Sequence, residues 1–451
     1  MKLSKLLSTC NIKFKISSLY DFNIKGITYD SRKMKEKFIF TAYEGANFDG
    51  HLFIKNFNIF KDFAVISKSE IKVNNYLKRF NKRITIIETK QPIKLANEIA
   101  SLIYPNKINE KIAVTGTNGK TSVSDFVRQL WTIYGFNSAS LGTLGINSKI
   151  KRNQSSLTTM DGIDFHKTLN KLYNNGCEKI ITEASSIGID RWRLFPVKFQ
   201  KLAFTNLSRD HIDYHKTFKN YKNSKLKLFK YFNFSDTLAI INSDDIYSRF
   251  FYEECKKHKI KVLDYGLSAK FLKIQDIIFK STYAIIKIVL NQRKMVIKLN
   301  TICKFDIFNK FCALLLVKDF KIKKEDFKNL NKLIMPHGRF DKIYDKEFKI
   351  YIDYAHTPDA LKNIFQSLER VKKNCLIALI GCGGERDSGK RNLMTKVALQ
   401  YCDKVILADD NPRNEEPKKI RRDMVTGIDR KNLNRIYDIG DRKTAINFGI
   451  N

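Results

Sequence analysis

The chain has 451 residues, 43% hydrophobic and 29% charged, and its 83 Lys and Arg against 46 Asp and Glu give a formal net charge of +37. That length predicts roughly three domains, each with enough surface to bury a core of its own, and excludes a small fold that depends on staples. Eight cysteines stand without a C-x-x-C pair or a histidine cluster, so neither a zinc knuckle nor a disulfide framework is expected and a reducing cytoplasm fits best.

The opening string MKLSKLLSTC has no apolar core of the kind export requires, and no stretch nears the roughly 18 apolar residues of a membrane span. A soluble protein with no membrane partner is expected. Lysines are spread over nearly every segment rather than clustered. The charge therefore reads as a solvated surface whose field favours anionic nucleotides, and nucleic acid is not expected as a partner.

Residues 1–90 form a first part, with short strand-like runs at 37–42 and 63–67 and a last run, ITIIE, at 84–88. Gln91-Pro92 marks a break before the helix-like string IKLANEIASLIY, because proline restricts the residue ahead of it and suits a helix start. Residues 91–334 form a second part, and its most informative string is KIAVTGTNGKTS at 111–122. Ile112, Ala113 and Val114 suit a buried strand, while Val123, Phe126, Val127, Leu130, Trp131 and Tyr134 follow helical spacing. Between them lie Thr115, Gly116, Thr117, Asn118 and Gly119. Glycine there lets backbone N–H groups turn inward beside the positive end of the next helix, which makes a cradle for phosphates. Lys120 would reach the outer phosphates, and the Thr121 hydroxyl would join the shell of a bridging Mg2+. Val114 stands where the longer phosphate-loop pattern has its first glycine.

Further on, KIITE at 179–183 and LAFT at 202–205 run into polar strings, E-A-S-S at 183–186 and NLSRDHIDYH at 206–215. Open α/β sheets bind ligands at such strand ends, although each string alone reads as capping and turn residues. The string YKNSKLK at 221–227 alone reads as a basic, solvated helix face. A lysine-rich run at 321–332 leads to Met335-Pro336-His337-Gly338-Arg339, read as a linker. Residues 335–451 then alternate KIYIDYA, a helix from Pro358, CLIALIG, a helix at 393–401, and KVILADD. That alternation predicts a parallel sheet in a Rossmann-like domain. His356 precedes Thr357-Pro358, which suit the cap and first position of a helix.

Nine strings in one order, GITYDSR, FDGH, VTGTNGKTS, LTTMDG, EASSIGIDRWR, FTNLSRDHIDYH, YIDYAHTPDAL, GCGGERDSGKR and DDNPR, give the chain a resemblance to the Mur ligase superfamily. The branch it most resembles is the UDP-N-acetylmuramoyl-tripeptide synthetases, over essentially the whole length. The loop T-G-T-N-G-K-T is this family's own form, which accounts for Val114. The resemblance implies an α/β protein of three domains. These are a UDP-sugar-binding part at 1–90, an ATP-binding part at 91–334 with a central P-loop ATPase-type parallel sheet, and a Rossmann-like amino-acid-binding part at 335–451. It implies a cytoplasmic, monomeric, ATP- and Mg2+-dependent amide ligase of peptidoglycan precursor assembly. Its substrates would be UDP-MurNAc-L-Ala-D-Glu and an added amino acid, joined through an acyl phosphate.

Site roles follow from the same resemblance. Thr115 to Thr121, with Asn309 and His356, match ATP positions; Thr121, Glu183 and His211 match metal ligands; Lys225 matches a lysine that is carbamylated, against its surface reading. Lys120, Glu183, His211 and Lys225 form the implied catalytic set. Tyr29, Ser31, Ala46, Asn47 and Phe48 match uridine contacts, and Thr158, Thr159, Ser185, Arg191 and Arg193 match contacts to the muramoyl peptide. Arg386 and the string Asp410-Asn411-Pro412-Arg413 match the amino-acid pocket of the meso-diaminopimelate-adding type. A guanidinium suits that substrate's far carboxylate and would be left unpaired by lysine. The strings DDNPR and GITYDSR together argue against the next ligase of the pathway and against folylpolyglutamate synthetase. The chain departs from the family pattern at Ile187, Arg191 and Asp306. The family's G-K-G-H-E segment is expected beyond Asn451, which is read first as a truncated sequence, with a shortened enzyme of looser pocket and an inactive relic as the alternatives; an L-lysine-adding homologue is the alternative on substrate.

Overall fold

The computed structural model describes residues 1–45, 48–77, 84–149, 152–153 (backbone alone) and 157–451, so Ala46 and Asn47 of the uridine set lie outside the described residues. The chain divides into two compact units, one of residues 1–112, 136–200 and 231–234, the other of 113–135, 201–230 and 235–451. The chain passes from one to the other within the strands Glu110–Thr115 and Phe199–Phe204.

In the first unit a five-stranded sheet runs in the order Lys15–Ser18, Thr85–Glu88, Ala64–Ser67, Phe38–Thr41, Gly26–Thr28, and only the first strand is antiparallel to its neighbour. Period-two alternation sends Ile39, Ala64, Ile66 and Ile87 to one face and Phe40, Val65 and Ile86 to the other. Both faces are buried, as a largely parallel sheet requires. The runs expected at 37–42, 63–67 and 84–88 are three of these strands. The helix Pro92–Ile103, expected from Pro92, lays Leu95, Ala96, Ile99 and Ala100 on the first face beside Leu3 and Leu6. It closes the core of the first part although it follows the break at residue 91. The same unit holds the parallel strands Ser138–Gly142 and Lys179–Glu183 and the helix Gly162–Asn174.

In the second unit the helix Lys120–Ile133 packs along the helix Lys304–Lys318, with Phe126, Leu130, Ile307, Phe311 and Leu314 all fully buried. The strands Asn233–Asn242 and Lys261–Gly266 are parallel, and three further strands at 272–279, 284–290 and 293–299 continue the sheet, the last two pairings antiparallel. The lysine-rich run 321–332 is not bare linker: it makes short helical turns that bury Phe327 and Leu330. A parallel sheet of Ile377–Ile380, Lys404–Ala408 and Ile436–Gly440 follows, with helices on both faces. KIYIDYA is the exception to the expected alternation. Its strand Lys349–Ile352 pairs antiparallel with Asp341–Asp345 in a separate hairpin, because that pairing partner lies just upstream and a hairpin closes at little entropic cost. Among the described residues, no helix is long and apolar enough to cross a membrane.

His166 illustrates how burial sets pH behaviour in the first unit. It is 1% exposed and shares a hydrogen bond between Nε2 and the Phe195 carbonyl, and burial pushes it down from 6.5 to about 4. An unfolded chain with an ordinary histidine takes up the proton first, so acid favours unfolding as pH falls from about 6.5 to about 4. The expected loss over that window is about 3 kcal/mol at most. Urea denaturation of wild type and His166→Leu at pH 7 and pH 4.5 tests this: the wild type should lose more stability than the variant.

Candidate functional site

The strand Glu110–Thr115 ends in a loop and the helix Lys120–Ile133 begins at once, with Gly119 at its cap in a left-handed conformation, φ 86°. A Cβ on Gly119 would sit 2.6 Å from Asn309 Oδ1, and one on Gly116 would sit 1.9 Å from Thr205 Oγ1. Both positions therefore need glycine. The segment after Phe204 holds the loop from outside: Thr117 N donates to Asn206 O (2.9 Å), Asn118 N to Asn206 Oδ1 (2.9 Å), and Thr205 Oγ1 to Asn118 O (2.6 Å). Thr117 Oγ1 accepts from Ser208 N at 2.9 Å and lies 2.9 Å from the buried Tyr221 hydroxyl. The segment is itself anchored by Leu207 N on Asp245 and by Asn242 Nδ2 on Thr205 O.

Two lysines converge on the loop. Lys120 Nζ donates to the carbonyls of Gly116 (2.9 Å) and Thr117 (2.7 Å), and Lys225 Nζ donates to Gly116 O at 2.7 Å. Lys225 is 1% exposed, which corrects its reading as a surface residue. Burial holds its amine well below the ordinary lysine value, and the Lys120 charge pushes the same way. The spacing Tyr221, Lys225, Leu228 and Phe229 carries the signal, because it sets Lys225 on the buried face of the helix Phe218–Tyr231.

Asp210, His211 and His356 form the next layer of the second unit. Asp210 is 4% exposed and meets Lys390 Nζ at 3.2 Å and the imidazole Nε2 atoms of His211 and His356 at 3.4 Å each. Burial alone would raise its carboxyl, but the His356 hydrogen bond and the charges around it hold it below the usual carboxylate range. His211 is pushed down to about 4, chiefly by burial, so its imidazole is neutral at pH 7. Beside this hub Arg209 forms a two-point pair with Asp387 at 2.9 and 3.1 Å. Arg339 Nη2 donates to Thr121 Oγ1 at 3.1 Å. Motif reading missed Arg209, Asp210, Asp387 and Lys390, and Arg339 lay in what reads as linker. Thr357 caps the helix Pro358–Glu369 as expected. Arg386 and Asp410 to Arg413 lie on two adjacent turns above the three-stranded sheet: Arg413 Nη1 donates to Gly384 O at 2.6 Å.

In the first unit Glu183 is buried at the end of its strand, where Oε1 accepts from Thr143 N (2.8 Å) and Oε2 from Thr143 Oγ1 (3.1 Å). Thr143 Oγ1 also lies 3.1 Å from the Thr158 hydroxyl. Thr159 Oγ1 donates to Glu183 O and lies 2.9 Å from Ser185 Oγ, while Arg193 Nη1 donates to Thr159 O. Arg191 is half-buried two residues before Arg193. Tyr29 donates to Asn97 Oδ1 and packs edge-on against Tyr43, which packs against the half-exposed Phe48. Ser31 opens the turn that Asp30 caps. The expected Glu183, Thr158, Thr159, Ser185 and Arg193 are thus one hydrogen-bonded cluster, and Tyr29 and Phe48 belong to one aromatic chain.

Because Gly116 cannot take a side chain against Thr205, Gly116→Ala should displace the loop. Titration with a fluorescent adenine nucleotide is expected to show affinity weakened about tenfold or more, near 1.4 kcal/mol, and unchanged affinity would contradict the close fit.

Three family models match the chain: Mur ligase family, catalytic domain, at 23–65; Mur ligase middle domain at 114–317; and Mur ligase, glutamate ligase domain, at 338–451. A UDP-N-acetylmuramoyl-L-alanyl-D-glutamate--2,6-diaminopimelate ligase of Rickettsia conorii is 34% identical over 436 residues, 95% of this chain and 88% of the relative. The ligase of that name from Aquifex aeolicus is 32% identical, covering 94% of this chain and 85% of its own length. A solved structure of such a ligase matches with a TM-score of 0.65 at 30% identity, over 94% of this chain and 86% of that one. MurF from Acinetobacter baumannii shares the fold with a TM-score of 0.66 at 15% identity, over 96% and 87%. With matches that take in the phosphate loop, the Asp210 segment and the two turns of the last sheet alike, this chain belongs to the Mur ligase family and has its three-domain α/β fold.

Proposed function

We propose that this chain is an ATP-dependent amide ligase that adds meso-diaminopimelate to UDP-MurNAc-L-Ala-D-Glu in peptidoglycan precursor synthesis. The observation that carries the reading is the convergence of Lys120 and the buried Lys225 on one carbonyl, Gly116 O, of a glycine-bracketed loop. A carboxylate is a poor electrophile. Attack of its oxygen on the γ-phosphorus of ATP releases ADP and gives an acyl phosphate; the incoming amine then attacks the acyl carbon, passes through a tetrahedral intermediate, and expels phosphate. Both steps gather negative charge, so fixed cations and oriented N–H groups supply most of the catalysis.

In this reading the loop residues Thr115 to Thr121 hold the phosphates, Lys120 neutralises the outer ones, and Asn309 and His356 hold the base and ribose. Burial and the neighbouring Lys120 charge lower the Lys225 amine's affinity for a proton, which favours the free lone pair that adds to carbon dioxide; loss of a proton then gives a carbamate. That converts a buried amine into an oxygen donor. The Thr121 hydroxyl and this carbamate are hard oxygen donors that suit Mg2+ in the second unit, His211 is a borderline nitrogen donor assigned beside them, and Glu183 is the first unit's proposed metal ligand. Mg2+ when bound would supply charge neutralisation to phosphate oxygens. Tyr29, Ser31, Ala46, Asn47 and Phe48 are assigned to uridine, and Thr158, Thr159, Ser185, Arg191 and Arg193 to the muramoyl peptide. Arg386 and Asp410 to Arg413 are assigned to the added amino acid. Domain limits near residues 90 and 334, a monomer and a cytoplasmic place belong to the same proposal.

Measuring ADP release with UDP-MurNAc-L-Ala-D-Glu and either meso-diaminopimelate or L-lysine tests the substrate: kcat/KM should be higher with meso-diaminopimelate by at least about tenfold, and equal turnover would sink the role given to Arg413. Lys225→Arg puts a permanent cation at this position, one that does not form a carbamate. It is expected to cut turnover on the order of a hundredfold while nucleotide still binds, and wild-type turnover in that variant would remove the carbamate from the mechanism.

A further inference from the structure

The turn that carries Asp410 to Arg413 is held at both ends by buried arginines. Arg391, 2% exposed at the start of the helix Arg391–Tyr401, donates through Nη2 to both carboxylate oxygens of Glu415 at 2.8 and 3.0 Å and through Nη1 to Asp423 at 2.7 Å. Arg421, 8% exposed on the helix Pro417–Val425, pairs with Asp409 and Asp438. Each arginine thus has one acid on the segment 409–415 and one off it.

Between those posts the two turns interlock. Gly384 N donates to Asn411 O (3.1 Å), Glu385 N donates to Glu415 Oε1, and Asn414 Nδ2 donates to Glu385 Oε1 (2.8 Å). A Cβ on Gly384 would meet Pro412 O at 1.9 Å, so the backbones touch as closely as glycine allows. Glu385, Asn411 and Arg413 all take positive φ, 51°, 41° and 52°, a left-handed conformation that crowds the Cβ of a non-glycine residue. Left-handed residues in series relax unless something holds them.

We infer that Arg391 and Arg421, which do not belong to the proposed contact set, are positioning residues that hold Arg413 and Asn411 in place through Glu415 and Asp409 and so set selectivity for an amino acid with a second carboxylate. The inference rests on the amino-acid pocket proposed above. A guanidinium discriminates by geometry, because two N–H bonds must meet two carboxylate oxygens at once. A floppy turn would surrender that discrimination while leaving nucleotide chemistry intact.

Four isosteric variants test it: Glu415→Gln and Asp409→Asn loosen the segment, while Asp423→Asn and Asp438→Asn remove each arginine's other partner. Glu415→Gln and Asp409→Asn should each raise KM for meso-diaminopimelate about tenfold and shrink its preference over L-lysine. KM for ATP should stay within about twofold and kcat within about threefold. Asp423→Asn and Asp438→Asn should change KM for the amino acid by less than about threefold. Four variants acting alike, or KM for ATP rising in step, would reduce the arginines to general scaffolding and overturn the inference. Hydrogen exchange at the Gly384, Glu385 and Glu415 amides decides independently of turnover: exchange should be faster in Glu415→Gln than in Asp423→Asn, and equal rates would overturn the interlock. A wild-type enzyme that prefers lysine would refute the proposed substrate while leaving the exchange result to judge the interlock.

Discussion

Asp210 is a carboxylate taken out of water and surrounded by a lysine and two imidazoles at 3.2 to 3.4 Å. Removing a charged group from solvent costs several kcal/mol unless partners replace the lost hydration, and the partners here come from three stretches of chain: His211 beside it, His356 ahead of a helix cap, and Lys390 in the turn before Arg391. The carboxylate can stay ionised only when those stretches assemble. Next to it, Arg209 makes the reverse pairing, cation to the Asp387 carboxylate, so two adjacent residues of opposite sign meet a complementary pair three residues apart. A shift of register would set like charges together. That crossed arrangement fixes how the 387–390 turn meets the segment at 205–211.

The same segment clamps the phosphate loop, and the two duties are linked by chain connectivity. Asn206 and Ser208 are committed to Thr117 and Asn118, so Arg209 and Asp210 can move only if the loop moves. A rigid loop matters because binding energy is lost when a cradle must be ordered by its ligand. It also explains the location of Lys225. A lysine so thoroughly buried would be costly as a cation, and the carbonyl of Gly116 is a partner to which a neutral amine can still donate.

Much of this was legible in the letters. Ile39 against Phe40, and Ile66 against Val65, show the alternation that places strands between two cores. Gly116 to Thr121 announce a phosphate loop, and Thr357-Pro358 announce a cap. What stayed hidden depends on distant partners. Nothing local in KIYIDYA says that its neighbour is an upstream hairpin strand rather than a parallel one. Arg339 reads as linker until its guanidinium is found on the Thr121 hydroxyl. Lys225 reads as solvated because lysine is rarely buried, although the helical spacing of Tyr221 and Leu228 puts it on the inner face. Asp210 passes for a capping residue until Lys390, 180 positions away, is seen to meet it.

Three arginines around the last sheet divide their work by depth. Arg391 and Arg421 are buried and give their donors to acids of the protein, while Arg413 is exposed and keeps one amino group on the backbone of the facing turn. Buried ion pairs are poor sources of net stability, and an apolar replacement of equal size often does as well or better. Their persistence in a domain with an otherwise apolar core therefore has to be explained by geometry. An apolar post would pack against the turn but would not dictate where Asp409 and Glu415 sit, since dispersion contacts tolerate sliding that a forked guanidinium does not. Two directional anchors at the ends of a seven-residue segment leave the strained residues between them little room to relax. Arg413 is then presented as a fixed fork rather than a searching one, and the entropy of arranging it has been spent in folding instead of at each encounter with substrate.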